Sequence, residues 1–261
     1  MGDAARWNEA IEPLLRAPEE ALWRAHSDAI NGQLFASWLP EGGCRRLLKT
    51  DLYDEAMGAG LYPLLAARAE VVAGIDVSAT TLAAASRRYP LLLAVQADVR
   101  RLPFASGSFD VIVSNSTLDH FASRGDIERA LRELHRILAA GGALLLTLDN
   151  LANPAVALRN ALPFGWLRRL RLVPYPVGAT FGPRGLKALL RRVGFETGAT
   201  AALLHCPRGV AVPVSRLLQR RSDARHQSRF LRHLRGWERL SRWPSRFLTA
   251  YFIGISARKA R

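Results

Sequence analysis

The chain has 261 residues, 49% of them apolar, enough for one large domain or a domain with an elaboration. Its formal charge is +15, but fourteen Arg or Lys against two acids lie from Pro207 onward, a surplus of +12 that leaves only +3 for everything before. No run approaches the roughly 18–20 apolar residues of a membrane span. The opening MGDAARWNEAIEPLL also lacks the order of a secretory signal, so a cytoplasmic location is expected.

In chain order, Trp7, Ile11, Leu14 and Leu15, then Leu22, Trp23, Ile30 and Leu34, recur at helical spacing and predict an N-terminal helical cap over residues 1–42. From Leu47 the rhythm changes. Strands are expected at Leu47–Asp51, Val71–Asp76, Leu91–Gln96, Phe109–Ser114 and Ala143–Asp149, with helices at Leu61–Arg68, Ala79–Arg88 and Asp126–Ala139 between them. Such alternation predicts an α/β fold, a Rossmann-like parallel sheet with helices on both faces. After Asn150 come a Pro- and Arg-rich stretch over 153–182, a helix at Arg184–Val193 and a strand at Glu196–Leu204. A last strand, Thr249–Ala257, is expected antiparallel to it. Cys44 and Cys206 stand far apart without metal-ligand spacing and read as reduced thiols, with no metal site.

The chemistry concentrates where strands end, because ligands of open α/β sheets sit beyond the carboxyl ends. The first such end reads LLKTDLYDEAMGAG, residues 47–60, a glycine-containing loop crowded by Asp51, Asp54 and Glu55. A dinucleotide pyrophosphate needs a helix N-terminus clear of negative side chains, and these acids repel it. S-adenosylmethionine carries an ammonium and a sulfonium instead, so the acids attract it. Asp76 closes the second strand, where a carboxylate can accept from both hydroxyls of a ribose. Asp98 follows the third and can accept from an adenine amino group.

Four segments, MGAG (57–60), VVAGIDVS (71–78), QADVRRLPFASGSFDVIVSNSTLDHF (96–121) and ALRELHRILAAGGALLLTLDN (130–150), occur in an order that resembles the class I S-adenosylmethionine-dependent methyltransferases of small-molecule type. The resemblance covers roughly Leu47–Asn150. It implies a seven-stranded, mostly parallel sheet over a domain spanning 43–261, with a basic helical insertion at about 207–246. It also implies S-adenosyl-L-methionine as methyl donor. The site residues it implies are Gly58 and Gly60 in the loop, Asp76 with Val77 at the ribose, Asp98 with Val99 at the adenine, and Asn115 and Ser116 beside the methionine moiety. His120 in TLDHF falls near the transfer position. The family's first motif is an acid followed by G-x-G-x-G; here the chain departs from it, and the loop aligns either backward from Asp76 or forward from the strand. Asp51 and Glu55 are the expected partners of the methionine ammonium, and capping of the next helix is the other reading of these acids.

Methyl transfer is an in-line displacement that chiefly needs alignment and exclusion of water, so no triad is sought. His120 and, from the N-terminal helices, His26 with Asp28 are the candidate bases. The N/D-P-P-Y/F pattern of DNA amino-methylation is absent, since the place reads SNSTLDH, which argues against nucleic acid. The default is O-, N- or C-methylation of a small molecule, apolar acceptors among the options; a non-catalytic cofactor-binding protein and an RNA methyltransferase are the alternatives. In the tail, Phe230, Leu234, Trp237 and Leu240 form one apolar stripe among arginines. The stripe either packs on the domain or brings the basic helix into peripheral contact with an anionic membrane.

Overall fold

Seven strands, β1 (Cys44–Lys49), β2 (Ala69–Asp76), β3 (Leu93–Gln96), β4 (Phe109–Asn115), β5 (Leu138–Asp149), β6 (Phe195–Leu203) and β7 (Phe252–Lys259), form one sheet in the order β3-β2-β1-β4-β5-β7-β6. The structure, a computed structural model, describes residues 7–8, 21–169, 178–221 and 223–261. Strands β1 to β5 pair in parallel, and only β7 runs against its two neighbours. The last strand therefore lies antiparallel within the sheet, as expected, but it is wedged between β5 and β6 rather than merely beside β6. It starts at Phe252, because Arg246–Thr249 is a short helix.

The helices follow local signals. α1 (Ala21–Trp38) precedes the sheet, and two single turns, α2 (Tyr53–Met57) and α3 (Tyr62–Ala66), fill the first crossover. α4 (Ala79–Arg88) starts where Ser78 accepts the Thr81 N–H at 3.1 Å, an N-cap with extended backbone. α5 (Arg124–Ile137) is capped likewise by Ser123, and its stripe of Ile127, Leu131 and Leu134 is fully buried. α6 (Pro154–Ala161) and α7 (Phe164–Arg169) follow β5, and α8 (Pro183–Val193) ends on Gly194 in the left-handed conformation. Four short elements separate β6 from β7: α9 (Arg208–Arg221), α10 (Ala224–Gly236), a 3-10 turn at Trp237–Arg242 and α11 (Arg246–Thr249).

Two apolar layers sandwich the sheet. On one face Leu48, Ile112 and Leu146 meet α5 and α8; on the other Leu47, Val111 and Leu145 meet Phe35 and Leu39 at the end of α1. Successive residues of a strand point to opposite faces, and this splits each pair. The tail stripe is divided. Leu234, with Phe230, packs against Trp23, Cys206 and Ala211, whereas Trp237 remains 37% exposed. The helix expected around Trp7–Leu15 lies outside the described residues apart from Trp7 and Asn8.

Candidate active site

Lys49 ends β1 with its side chain 1% exposed, opposite Gly74 of β2 and Val113 of β4. Its Nζ donates to the Asp51 carbonyl at 2.8 Å and lies 3.4 Å from Asp51 Oδ1 and 2.9 Å from Glu55 Oε2. Burial works against the ammonium, but Asp51, Glu55 and Asp54 outweigh it and raise its pKa, so it stays charged. Glu55 is also fully buried, and its Oε1 accepts the N–H groups of Leu61 and Tyr62 at 2.9 and 3.2 Å. Glu55 thus ties the loop to α3 from inside. It does not line the open side with Asp51, the partner expected for it.

Gly60 shows why the loop needs glycine at one place and not at another. Its φ is +56°, and a Cβ there would stand 2.6 Å from Glu55 Oε1. At Gly58 the backbone is extended and the nearest atom to an added Cβ is 3.8 Å away. Gly60→Ala should cost about 1–2 kcal/mol from the left-handed backbone alone, more with the displaced carboxylate, whereas Gly58→Ala should be nearly neutral. Equal thermal midpoints for the two variants would contradict this assignment.

Around the buried ion pair stand further acids. Asp28 of α1 lies near the Gly60 N–H, and its pKa is pushed up to about 6 by burial and by Glu55, against Lys49, Arg24 and that N–H. Asp54 is pushed up to about 8 by burial, with Lys49 lowering it and Asp28, Asp51 and Glu55 raising it. Asp51 is held by Thr117 Oγ1 at 2.8 Å, which in turn meets Thr50 Oγ1 at 2.7 Å. Asn115, at the end of β4, accepts from Thr147 Oγ1 at 2.8 Å and donates to Asp54 Oδ2 at 3.3 Å. Ser116 turns sharply with φ +51°, and its hydroxyl donates to Asp119 Oδ2 at 2.9 Å. Asp119 was not singled out in the sequence, yet it also accepts the Asp149 N–H at 2.8 Å and so joins the ends of β4 and β5.

Asp76 ends β2, 9% exposed, with Oδ2 accepting from Leu52 N at 3.1 Å and Oδ1 from Ser78 N at 2.8 Å. Gly74 makes this approach of the loop possible, because an added Cβ would meet Leu52 Cδ2 at 2.6 Å. Each Asp76 oxygen keeps a lone pair for another donor. Burial raises its pKa to about 6, opposed by the N–H groups of Ser78 and Leu52. Val77 beside it is half-buried, whereas Val99 is 4% exposed and packs in the core, presenting backbone only. Asp98 is engaged by Arg100 through Nε, at 3.0 Å from each oxygen; burial raises its pKa, but these bonds prevail and lower it.

The two candidate histidines part company. His120 lies in the turn after β4 with its ring edge-on to Trp7 at 5.0 Å, while Asn8 accepts from Ser78 Oγ at 2.6 Å. Residues 7 and 8 thus reach from the end of β2 to the end of β4. His26 does not join the site. It sits two residues before Asp28, which on a helix is about the opposite side, and is fully buried 3.8 Å from Cys206 Sγ and against Trp23. Burial, then Arg235, lowers its pKa to about 4, so it is a neutral core residue. A groove of about 430 Å³ lined by Gly43, Asp110 and Gly142 opens at the amino ends of the strands, the end that does not carry ligands in such sheets.

The donor set fits S-adenosylmethionine. Four carboxylates surround one lysine, leaving an excess of negative charge at the strand ends for an ammonium and a sulfonium, and Asp76 retains acceptors for a ribose. Among the described residues no group of His, Cys, Asp and Glu could hold a metal ion.

Comparison with known proteins agrees. A family described as a methyltransferase domain matches residues 53–146. The chain is 33% identical over 167 residues to a demethylmenaquinone methyltransferase of Thermus thermophilus, covering 56% of this chain and 74% of that one. It is 28% identical over 164 residues to a probable S-adenosylmethionine-dependent methyltransferase of Mycobacterium tuberculosis, covering 62% of this chain and only 55% of the relative. In fold it is similar to a geranyl diphosphate C-methyltransferase from Streptomyces coelicolor A3(2), solved with Mg2+, geranyl diphosphate and S-adenosyl-L-homocysteine, at a TM-score of 0.59 and 14% identity over 89% of this chain and 77% of that one. The chain belongs to the class I S-adenosylmethionine-dependent methyltransferases, and S-adenosyl-L-methionine is its cofactor.

Proposed function

We propose that the chain transfers the methyl group of S-adenosylmethionine to a small, apolar acceptor of isoprenoid or quinone type. The observation that carries the donor half is the surplus of carboxylates at the ends of β1 and β2. Asp51 and Asp54 face the methionine ammonium, Asp76 takes the ribose hydroxyls, and Asp98 shares its oxygens between Arg100 and the adenine amino group. Asn115 and Ser116 fix the methionine end through their own bonds to Thr147 and Asp119. Glu55, being buried, supports the loop and does not touch the donor. The cofactor supplies an electrophilic methyl group.

On the acceptor side, aromatic rings gather past β4 and β5. Arg100 covers the Phe121 ring at 4.8 Å, Arg124 covers Phe181 at 4.9 Å, and Tyr251 receives the Arg159 guanidinium at 2.7 Å from its hydroxyl. Rings bordered by guanidinium groups offer an apolar surface with a cationic rim, which suits a molecule with an apolar body and a polar or anionic end. The name of the Thermus relative, a demethylmenaquinone methyltransferase, points the same way. In this reading His120 accepts the proton a hydroxyl or activated carbon loses, and the chain's remaining task is alignment and exclusion of water.

The test has two steps. Titration calorimetry should show S-adenosylmethionine binding, weakened by Asp76→Ala about tenfold to a hundredfold, the value of about 1.5–3 kcal/mol for hydrogen bonds to a charged group. Labelled methyl transfer to prenylated hydroquinones, a malonyl thioester and small polar amines should then favour the first. Unchanged donor affinity in Asp76→Ala would displace the ribose assignment, and transfer to the amines alone would displace the acceptor reading.

A further inference from the structure

We propose that the rim beside the carboxyl end of β5, where the start of α6 meets the C-terminal helices, docks on an anionic lipid surface. Two asparagines build this rim. Asn150 Nδ2 donates to the carbonyls of Phe247 and Ala250 at 2.6 and 2.9 Å, and Asn153 Nδ2 donates to those of Thr249 and Ala250, both at 3.1 Å. These bonds hold the start of α6 against α11, so two segments distant in sequence share one edge of the molecule.

Large apolar side chains stand out on those same segments. Leu158 is 63% exposed on α6 and Trp166 66% on α7; Trp243 is 59% and Leu248 57% exposed on the C-terminal side. Single exposed apolar residues need no explanation, but Leu158, Trp243 and Leu248 on segments joined in this way, with Trp166 on the next helix of the chain, do. The stripe of α10 is not what faces outward, since Leu234 is buried against Trp23 and Cys206. Its exposed side carries Arg225, Arg229, Arg232 and Arg235, and Arg239 and Arg242 follow, also exposed.

The charge of this region is nearly all of one sign. Of its two acids, Asp223 caps α10, and Glu238 is turned inward to accept the N–H groups of Leu204 and His205 at 3.2 and 3.0 Å. An outward surface of arginines beside exposed Trp and Leu complements anionic headgroups above a hydrocarbon layer. Nucleic acid shares the charge but not the rest: Leu158 and Leu248 have no ring to stack on a base, and only an apolar phase repays their exposure. No helix among the described residues is long and apolar enough to cross a membrane, so the contact is peripheral. The docking stands independently of the acceptor; if the acceptor is apolar, the same rim places the strand ends beside the phase that holds it.

Flotation of the full chain with vesicles of phosphatidylcholine, alone or mixed with phosphatidylglycerol, tests the proposal without any methyl-transfer readout. Binding is expected on the anionic vesicles at low salt and at least about tenfold less on phosphatidylcholine or at high salt. The double variant Trp243→Ser/Leu248→Ser should lose about tenfold on anionic vesicles. Arg239→Gln/Arg242→Gln should weaken binding and flatten its salt dependence; both pairs are replaced at the surface, with unaltered melting as the control. Three results would overturn the proposal: no flotation with anionic vesicles at low salt, wild-type flotation of the Trp/Leu variant, or binding of an RNA oligonucleotide where the vesicles do not bind.

Discussion

Lys49→Met is expected to destabilise the protein by about 3–5 kcal/mol, the penalty for removing one partner of a buried pair and leaving the other charged. That is a large share of a total stability of about 5–15 kcal/mol. The side chains of Lys49 and Glu55 are 1% and 0% exposed, so water cannot solvate the carboxylate left behind. Methionine keeps the length and volume of the lysine stem, which separates the loss of charge from the loss of packing. In the double variant Lys49→Met/Glu55→Gln neither member of the pair is charged, and the glutamine oxygen can still accept from Leu61 and Tyr62. It should regain most of the loss. Urea unfolding of the three proteins decides: a single variant within about 1 kcal/mol of wild type, or a double no better than the single, would mean that the pair does not hold the loop.

This pair also marks where reading the sequence stops. The regular part of the fold was legible, because strands such as VVAGID and FDVIVSN are continuous apolar runs of the right length. Asp76 was legible for the same reason: it follows the last apolar residue of a strand, where ligands of such sheets bind. The loop after β1 was not. Its two helices, Tyr53–Met57 and Tyr62–Ala66, are single turns too short for any periodicity to show. Nothing in KTDLYDE says that the glutamate turns back onto the lysine six residues earlier.

His26 and Asp28 part company for one geometric reason. They lie on opposite sides of α1, and a helix that also buries Arg24 and Asn31 gives no clean apolar face to tell which side looks at the sheet ends. Asp119 was overshadowed by its neighbour His120, although the aspartate makes the bonds that join β4 to β5. For the tail stripe, a packed helix and a membrane helix share the same periodicity; only the tertiary partners Trp23, Cys206 and Ala211 separate them.

Donor affinity should rise with pH, by about tenfold per unit for a carboxylate that must ionise to meet a cation, and so by about two orders of magnitude between pH 6 and pH 8. The cause is burial, reinforced by the crowding of acids at the loop, which raises Asp54 to about 8 and Asp28 and Asp76 to about 6. In the free protein these groups hold protons that the unfolded chain, with ordinary carboxylate values, has released. The folded state therefore binds more protons across this range, and its stability falls as pH rises from about 4 through these folded values. A bound ammonium and sulfonium reverse the balance by favouring the ionised carboxylates, so binding expels protons. Thermal midpoints of the free protein should decline from pH 5 to pH 8, and the decline should be shallower with S-adenosylmethionine present. Calorimetric titrations at pH 7 in two buffers of different ionisation enthalpy should give apparent heats that differ in the sense of proton release. Asp54→Asn should abolish most of the pH dependence between 7 and 8 while leaving the Lys49–Glu55 pair intact. Affinity independent of pH, or proton uptake on binding, would show that the surplus of acids does not face the donor.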